Sequence, residues 1–151
     1  MADPRFTGGC QCGAVRFAVE GELGRASLCH CRMCQKAFGS AFGPLVSAPR
    51  GLRWTRGAPK HFQSSNRATR GFCADCGTPL TFEPDVGPVE LAIGAFDDPA
   101  AITPVIQHAV ESRLPWLSDA DRLPVRGPDE AAKAAPYYAS IRSRQHPDHD
   151  T

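Results

Sequence analysis

Long apolar runs are missing from this 151-residue sequence. No stretch approaches the length needed to cross a bilayer. The N-terminal Met1-Ala2-Asp3-Pro4-Arg5-Phe6-Thr7-Gly8-Gly9 has no apolar h-region, so no secretory signal is expected. An excess of charge of one sign is missing too. The 17 Lys and Arg balance 16 Asp and Glu to a formal +1, so no bulk field points to nucleic acid or a membrane surface. Long helical patterns are scarce, and there is no internal repeat. Cysteine is absent everywhere except in three tight clusters, and the odd total of seven fits a closed disulfide framework poorly. Together these absences predict a reduced, cytoplasmic location.

What is present is frequent punctuation. The 14 glycines and 14 prolines leave few stretches of ten residues uninterrupted, which favours short strands. Alternating patterns predict strands over Val15–Val19, Thr78–Glu83 and Val89–Phe96. In the first, Val15, Phe17 and Val19 face one way and Arg16 the other. Shorter candidates are Phe42–Val46, Leu52–Thr55, His61–Gln63, Thr69–Phe72 and Val105–Val110. Met33–Phe38 reads as one or two helical turns ending at Gly39. Asp129–Ala135 has the best helical propensity, with acids at its start and Pro136 as its limit. A boundary at Gly127-Pro128 divides a body, residues 1–127, from a polar tail, residues 128–151. In that tail Tyr137, Tyr138 and Ile141 are spaced to dock as one helical face; a free tail is the alternative.

The cysteine clusters carry the chemistry. Cys10-Gln11-Cys12-Gly13 and Cys73-Ala74-Asp75-Cys76-Gly77 are hooks, each followed by a glycine that permits a tight left-handed turn. Each precedes a predicted strand. Two such hooks at the heads of neighbouring strands would bring four sulfurs onto one structural zinc. Buried free thiols, or a redox dithiol at Cys73 and Cys76, are the competing readings. Cys29-His30-Cys31-Arg32-Met33-Cys34 presents three sulfurs in six residues. An extended lead-in puts Cys29 and Cys31 on one side, and a helical turn returns Cys34 to them while His30 points away. Three thiolates suit a second zinc with an open position. Such a centre is formally −1 and favours binding and exchanging thiols over making a strong hydroxide. With seven thiolates and two zinc ions the chain would carry a charge of about −2. Arg32 and Lys36 flank this cluster, either as carboxylate binders or as solvated surface charges.

The segments Gly8–Phe17, Cys29–Lys36 and Phe72–Leu80 resemble the glutathione-dependent formaldehyde-activating family, zinc proteins grouped with centromere protein V. Looser likeness continues through Gly94–Pro99 and Pro115–Leu117. All seven cysteines match. The resemblance implies a mainly β, Mss4-like tent of short antiparallel strands around zinc knuckles, with few short helices. It implies a structural zinc at Cys10, Cys12, Cys73 and Cys76 and a catalytic zinc at Cys29, Cys31 and Cys34, two zinc ions in all. The implied activity is that of a carbon–sulfur lyase or synthase joining a small thiol such as glutathione to an aldehyde, formaldehyde in the founding case. Glutathione carries two carboxylates, and Arg32, Lys36, Arg67 and Arg70 are the candidate partners. A non-catalytic thiol carrier, with His30 as a fourth ligand, and a protein-interaction module are the alternatives. A nucleic-acid surface would need a basic cluster, and Arg50, Arg53, Arg56 and Lys60 make only a small patch that reads better as a solvated strand face.

Overall fold

Strands dominate the computed structural model, which describes residues 3–151. In chain order they are β1 (Arg5–Gly9), β2 (Arg16–Glu20), β3 (Ala26–Cys29), β4 (Gly43–Ala48), β5 (Leu52–Arg56), β6 (Lys60–Ser65), β7 (Ala68–Phe72), β8 (Pro79–Pro84), β9 (Val89–Ala92) and β10 (Ile106–His108). Two α-helices join them, α1 (Arg32–Phe38) and α2 (Pro128–Ser140), along with short 3-10 turns. A three-stranded sheet runs β1-β2-β5. A seven-stranded sheet runs β10-β3-β4-β9-β8-β7-β6. All pairs are antiparallel except β10 beside β3, which is parallel. The domain is mainly β, as the short-strand tent requires. No helix among the described residues is long and apolar enough to cross a membrane.

One core is fed by both sheets. Phe17 and Val19 of β2 meet Val46 of β4, Leu80 of β8 and Leu91 of β9, all essentially buried. Phe17 packs edge-on against Phe96 at 5.1 Å and Trp54 at 6.0 Å. Each such apolar side chain contributes about 1.5–3 kcal/mol by leaving water. Arg16 lies on the other face of β2, as its alternation demands, but is only 2% exposed. Its guanidinium donates two hydrogen bonds to Asp97, at 2.8 Å to Oδ1 and 2.6 Å to Oδ2, and Thr7 adds a third at 2.6 Å.

Some elements differ from expectation for local reasons. β1 was not expected because Thr7-Gly8-Gly9 has little strand propensity. Glycine stands there for close approach: a Cβ at Gly8 would lie 2.3 Å from the Ala95 carbonyl oxygen and 2.5 Å from the Phe17 ring. The strand expected over Val89–Phe96 ends at Ala92, where Ile93–Ala95 turns into a 3-10 helix that returns Phe96 to a bridge with Gly8. The one expected over Val105–Val110 shortens to Ile106–His108. α2 runs past Pro136. Proline removes the partner of the Ala132 carbonyl, and Ala132 lies exposed to solvent, where the lost bond is tolerated. No residue of α2 is buried; Tyr137, Tyr138 and Ile141 are exposed, and Arg126 stacks 5.3 Å over the Tyr138 ring. The end of the chain does return to the body: the His146 N–H donates to the Gln11 carbonyl at 2.6 Å and Arg16 donates to the His149 carbonyl at 2.9 Å.

Candidate metal centres and an adjoining pocket

The two hooks are built alike. Gly13 and Gly77 both take φ +78°, the left-handed turn that lets each hook close. The Gly13 N–H donates to the Cys10 carbonyl at 3.1 Å, and the Gly77 N–H to the Cys73 carbonyl at 2.9 Å. The Val15 N–H points at Cys10 Sγ at 3.2 Å, and the Gln11 N–H reaches the Thr78 hydroxyl at 3.0 Å, tying one hook to the other. One expectation is corrected. The hooks lead into β2 and β8, which belong to different sheets and are not neighbours, so the four-sulfur cluster clasps the two sheets together.

Cys10, Cys12, Cys73 and Cys76 present sulfurs all within 4.8 Å of one another. Cys10 and Cys12 are 3.6 Å apart, Cys12 and Cys73 3.8 Å. Tetrahedral thiolates at the usual metal–sulfur length of about 2.3 Å stand about 3.8 Å apart, so the cluster could hold one metal ion. Cys12 and Cys76 of this cluster shift in opposite directions. The Ala14 backbone favours the Cys12 thiolate, but burial and the neighbouring sulfurs push it up to about 12. Burial also raises Cys76, yet bonds from Thr78 and from Cys12 hold it down at about 6. Sulfurs this close share protons unless a cation replaces them.

Cys29, Cys31 and Cys34 form the second group, also within 4.8 Å. β3 delivers Cys29, and Cys31 caps the N-terminus of α1, accepting the Cys34 N–H at 3.3 Å. That bond and the neighbouring sulfurs overcome burial and hold the Cys31 thiol below its ordinary range. Cys34 is the most buried, and burial pushes it up to about 12 against the pull of Arg70. His30 is fully buried elsewhere. Its Nε2 meets Gln107 Oε1 at 2.9 Å, its ring packs on Phe42, and it is not in the sulfur group. Gln35 pins the loop by donating to the His30 carbonyl at 2.8 Å and the Ser112 carbonyl at 3.0 Å.

A pocket of about 430 Å³ adjoins this second cluster, lined by Arg32, Met33, Lys36, Phe62, Ser64 and Arg70. α1 supplies the first three and the β6–β7 pair the others, with Phe62 and Arg70 directly opposite in register. Arg70 joins the pocket to the cluster: its Nη2 donates to Cys34 Sγ at 3.3 Å. Arg32 and Lys36 both line this pocket. Arg67 does not join them and pairs with Asp85 at 2.6 Å. Two side chains of the basic patch are engaged, Arg53 by Glu20 and Arg56 by the Gly13 carbonyl and Thr151. The sequence gives no sign of the Arg70–Cys34 contact or of Phe62 as a pocket wall. Both arise where α1 meets the β6–β7 hairpin, which places Arg70 beside Cys34 across 36 residues of chain.

A family model described as glutathione-dependent formaldehyde-activating enzyme matches residues 5–112. A Schizosaccharomyces pombe protein described as an uncharacterized lyase is 31% identical over 86 residues, covering 52% of this chain and 58% of that protein. The chain therefore matches little more than half the length of this curated relative. A crystal structure of a Rhodobacter sphaeroides protein superposes with a TM-score of 0.51 at 24% identity, over 67% of this chain and 98% of that one, a likeness of fold.

Proposed function

The chain belongs to the glutathione-dependent formaldehyde-activating enzyme family, and on that premise we propose that it forms and breaks a carbon–sulfur bond between a small anionic thiol of the glutathione class and an aldehyde. The observation that carries the reading is the cationic pocket of Arg32, Lys36 and Arg70, whose Arg70 donates to Cys34 Sγ of the three-cysteine cluster. All-sulfur donor sets favour zinc, and we assign one structural zinc to the four-cysteine cluster and a second to the three-cysteine cluster. Zinc at the second would offer a position where a substrate thiol loses its proton near neutral pH.

The protein's own groups do the rest. Arg32 and Lys36 reach the carboxylates of the thiol and hold its sulfur toward the cluster. Phe62 and Met33 give the pocket its apolar wall. The sulfur adds to the carbonyl carbon, a C–S bond forms, and the carbonyl oxygen takes up a proton to give the hydroxyalkyl thioether. The reverse step releases both partners. Proximity supplies most of the rate, because neither partner needs activation beyond deprotonation and orientation. Balanced overall charge favours small-molecule partners over nucleic acid. Two all-sulfur metal sites need reduced cysteines, which suits a reducing, cytoplasmic setting.

Calorimetry of zinc-loaded protein with glutathione, followed by exchange NMR with formaldehyde, tests this reading. Binding and an exchange rate proportional to protein are expected, both lost in Cys34→Ser. Binding without protein-dependent exchange would make it a thiol carrier.

A further inference from the structure

Arg70 is a buried cation whose place in the site exceeds carboxylate binding. It is 7% exposed. Its Nε donates to Ser64 Oγ at 3.0 Å, its Nη2 to Cys34 Sγ at 3.3 Å, and the guanidinium lies 4.9 Å over the Phe82 ring. Three contacts in three directions fix the fork, and the arm on sulfur is the one aimed at the cluster.

A three-thiolate centre is electron-rich, and its own sulfurs are nucleophiles. A site that admits an aldehyde must direct it to the substrate thiol and away from the ligands. A charge-assisted hydrogen bond withdraws electron density from a thiolate and occupies the lone pair an electrophile would meet. Cys31 has the backbone N–H of Cys34 for this purpose, at 3.3 Å. For Cys34 the donor is Arg70. We propose that Arg70 is a positioning residue that secures Cys34 Sγ as a metal ligand and withholds it from electrophiles. Lysine cannot replace it fully, since one ammonium cannot span Ser64 and Cys34 with a planar fork. The inference rests on the metal assignment above and not on the identity of the aldehyde.

The test uses zinc-loaded wild type, Arg70→Met and Arg70→Lys, with metal counted first. Methionine fills similar space without donating. Each protein is treated with iodoacetamide, and modification is followed cysteine by cysteine by mass spectrometry; the ligand sulfur forms an S–C bond and iodide leaves with the bonding pair. Cys34 should react about tenfold faster in Arg70→Met, relative to Cys29 and Cys31, with zinc released in step. Arg70→Lys should fall between. In cobalt-loaded protein the sulfur-to-metal charge-transfer band should move to lower energy in Arg70→Met and return most of the way in Arg70→Lys, a shift that a packing role would not produce. Unchanged Cys34 reactivity and an unmoved band in folded, metal-loaded Arg70→Met would overturn the inference alone. Wild type without metal at Cys29, Cys31 and Cys34 would overturn the metal assignment and this inference with it.

Discussion

Cys12 Sγ stands 3.8 Å from Cys73 Sγ although 61 residues separate them and their hooks lead into different sheets. An ion shared by those hooks ties the sheets together, so its binding energy is folding energy. Cys73→Ala is expected to lose that ion and to unfold or become molten at room temperature. Cys31→Ala disrupts one loop and should stay folded with about one ion fewer. Metal analysis beside circular dichroism checks this; equal unfolding of both variants would contradict the division of labour.

Lability follows from the same geometry. An ion held within one six-residue loop should leave before one clamped between two distant hooks. Graded chelator is expected to strip the Cys29, Cys31 and Cys34 site first with little change in far-ultraviolet signal, and the four-cysteine site later together with the fold. A single step releasing everything would count against it.

Much of this was legible in the sequence because metal hooks are local. The spacing of Cys10 with Cys12 and of Cys73 with Cys76, the glycines after them, and the helical turn that returns Cys34 all depend on neighbours within six residues. β2, β8 and α1 were readable for the same reason: alternation or a glycine stop marks them. β1 was not, since Gly8 and Gly9 are chosen for the space left by Ala95 and Phe17 and not for strand propensity. β3 was hidden because its last residue belongs to the ligand loop. Arg70 was one of four interchangeable cations in the sequence. Only the packing of α1 on the β6–β7 hairpin separates it from Arg67, which ends in a surface pair with Asp85.

The buried Arg16–Asp97 pair makes a second claim about stability. Burial alone would raise the Asp97 carboxyl, but bonds from Arg16 and Thr7 outweigh it and hold it below its ordinary value of 3.8. The unfolded chain therefore binds the proton more readily. The pair's contribution is full above the ordinary carboxylate range and is lost as pH falls through the lower folded value. Asp97→Ala leaves Arg16 buried without its partner and should cost about 3–5 kcal/mol. In urea unfolding of zinc-loaded protein that cost should be flat between about pH 5 and 8 and shrink only below about pH 4. A cost that already falls between pH 8 and 5 would refute the assignment.

Arg32 and Lys36 differ from Arg67 only in where the fold places them. Arg32→Ala and Lys36→Ala should each weaken glutathione binding by roughly three- to tenfold, the worth of one partly exposed charged contact. Arg67→Ala should leave it unchanged. Calorimetry on the three variants decides; equal losses would mean the thiol binds through general charge and not in this pocket.

The central claim is that a small anionic thiol reaches the metal held by Cys29, Cys31 and Cys34. The most direct measurement is a crystal structure of the zinc-loaded protein soaked with glutathione. The glutathione sulfur is expected at about 2.3 Å from that zinc, completing a tetrahedron, with its carboxylates against Arg32 and Lys36. A zinc already closed by a fourth protein ligand, or glutathione bound away from these three cysteines, would contradict it.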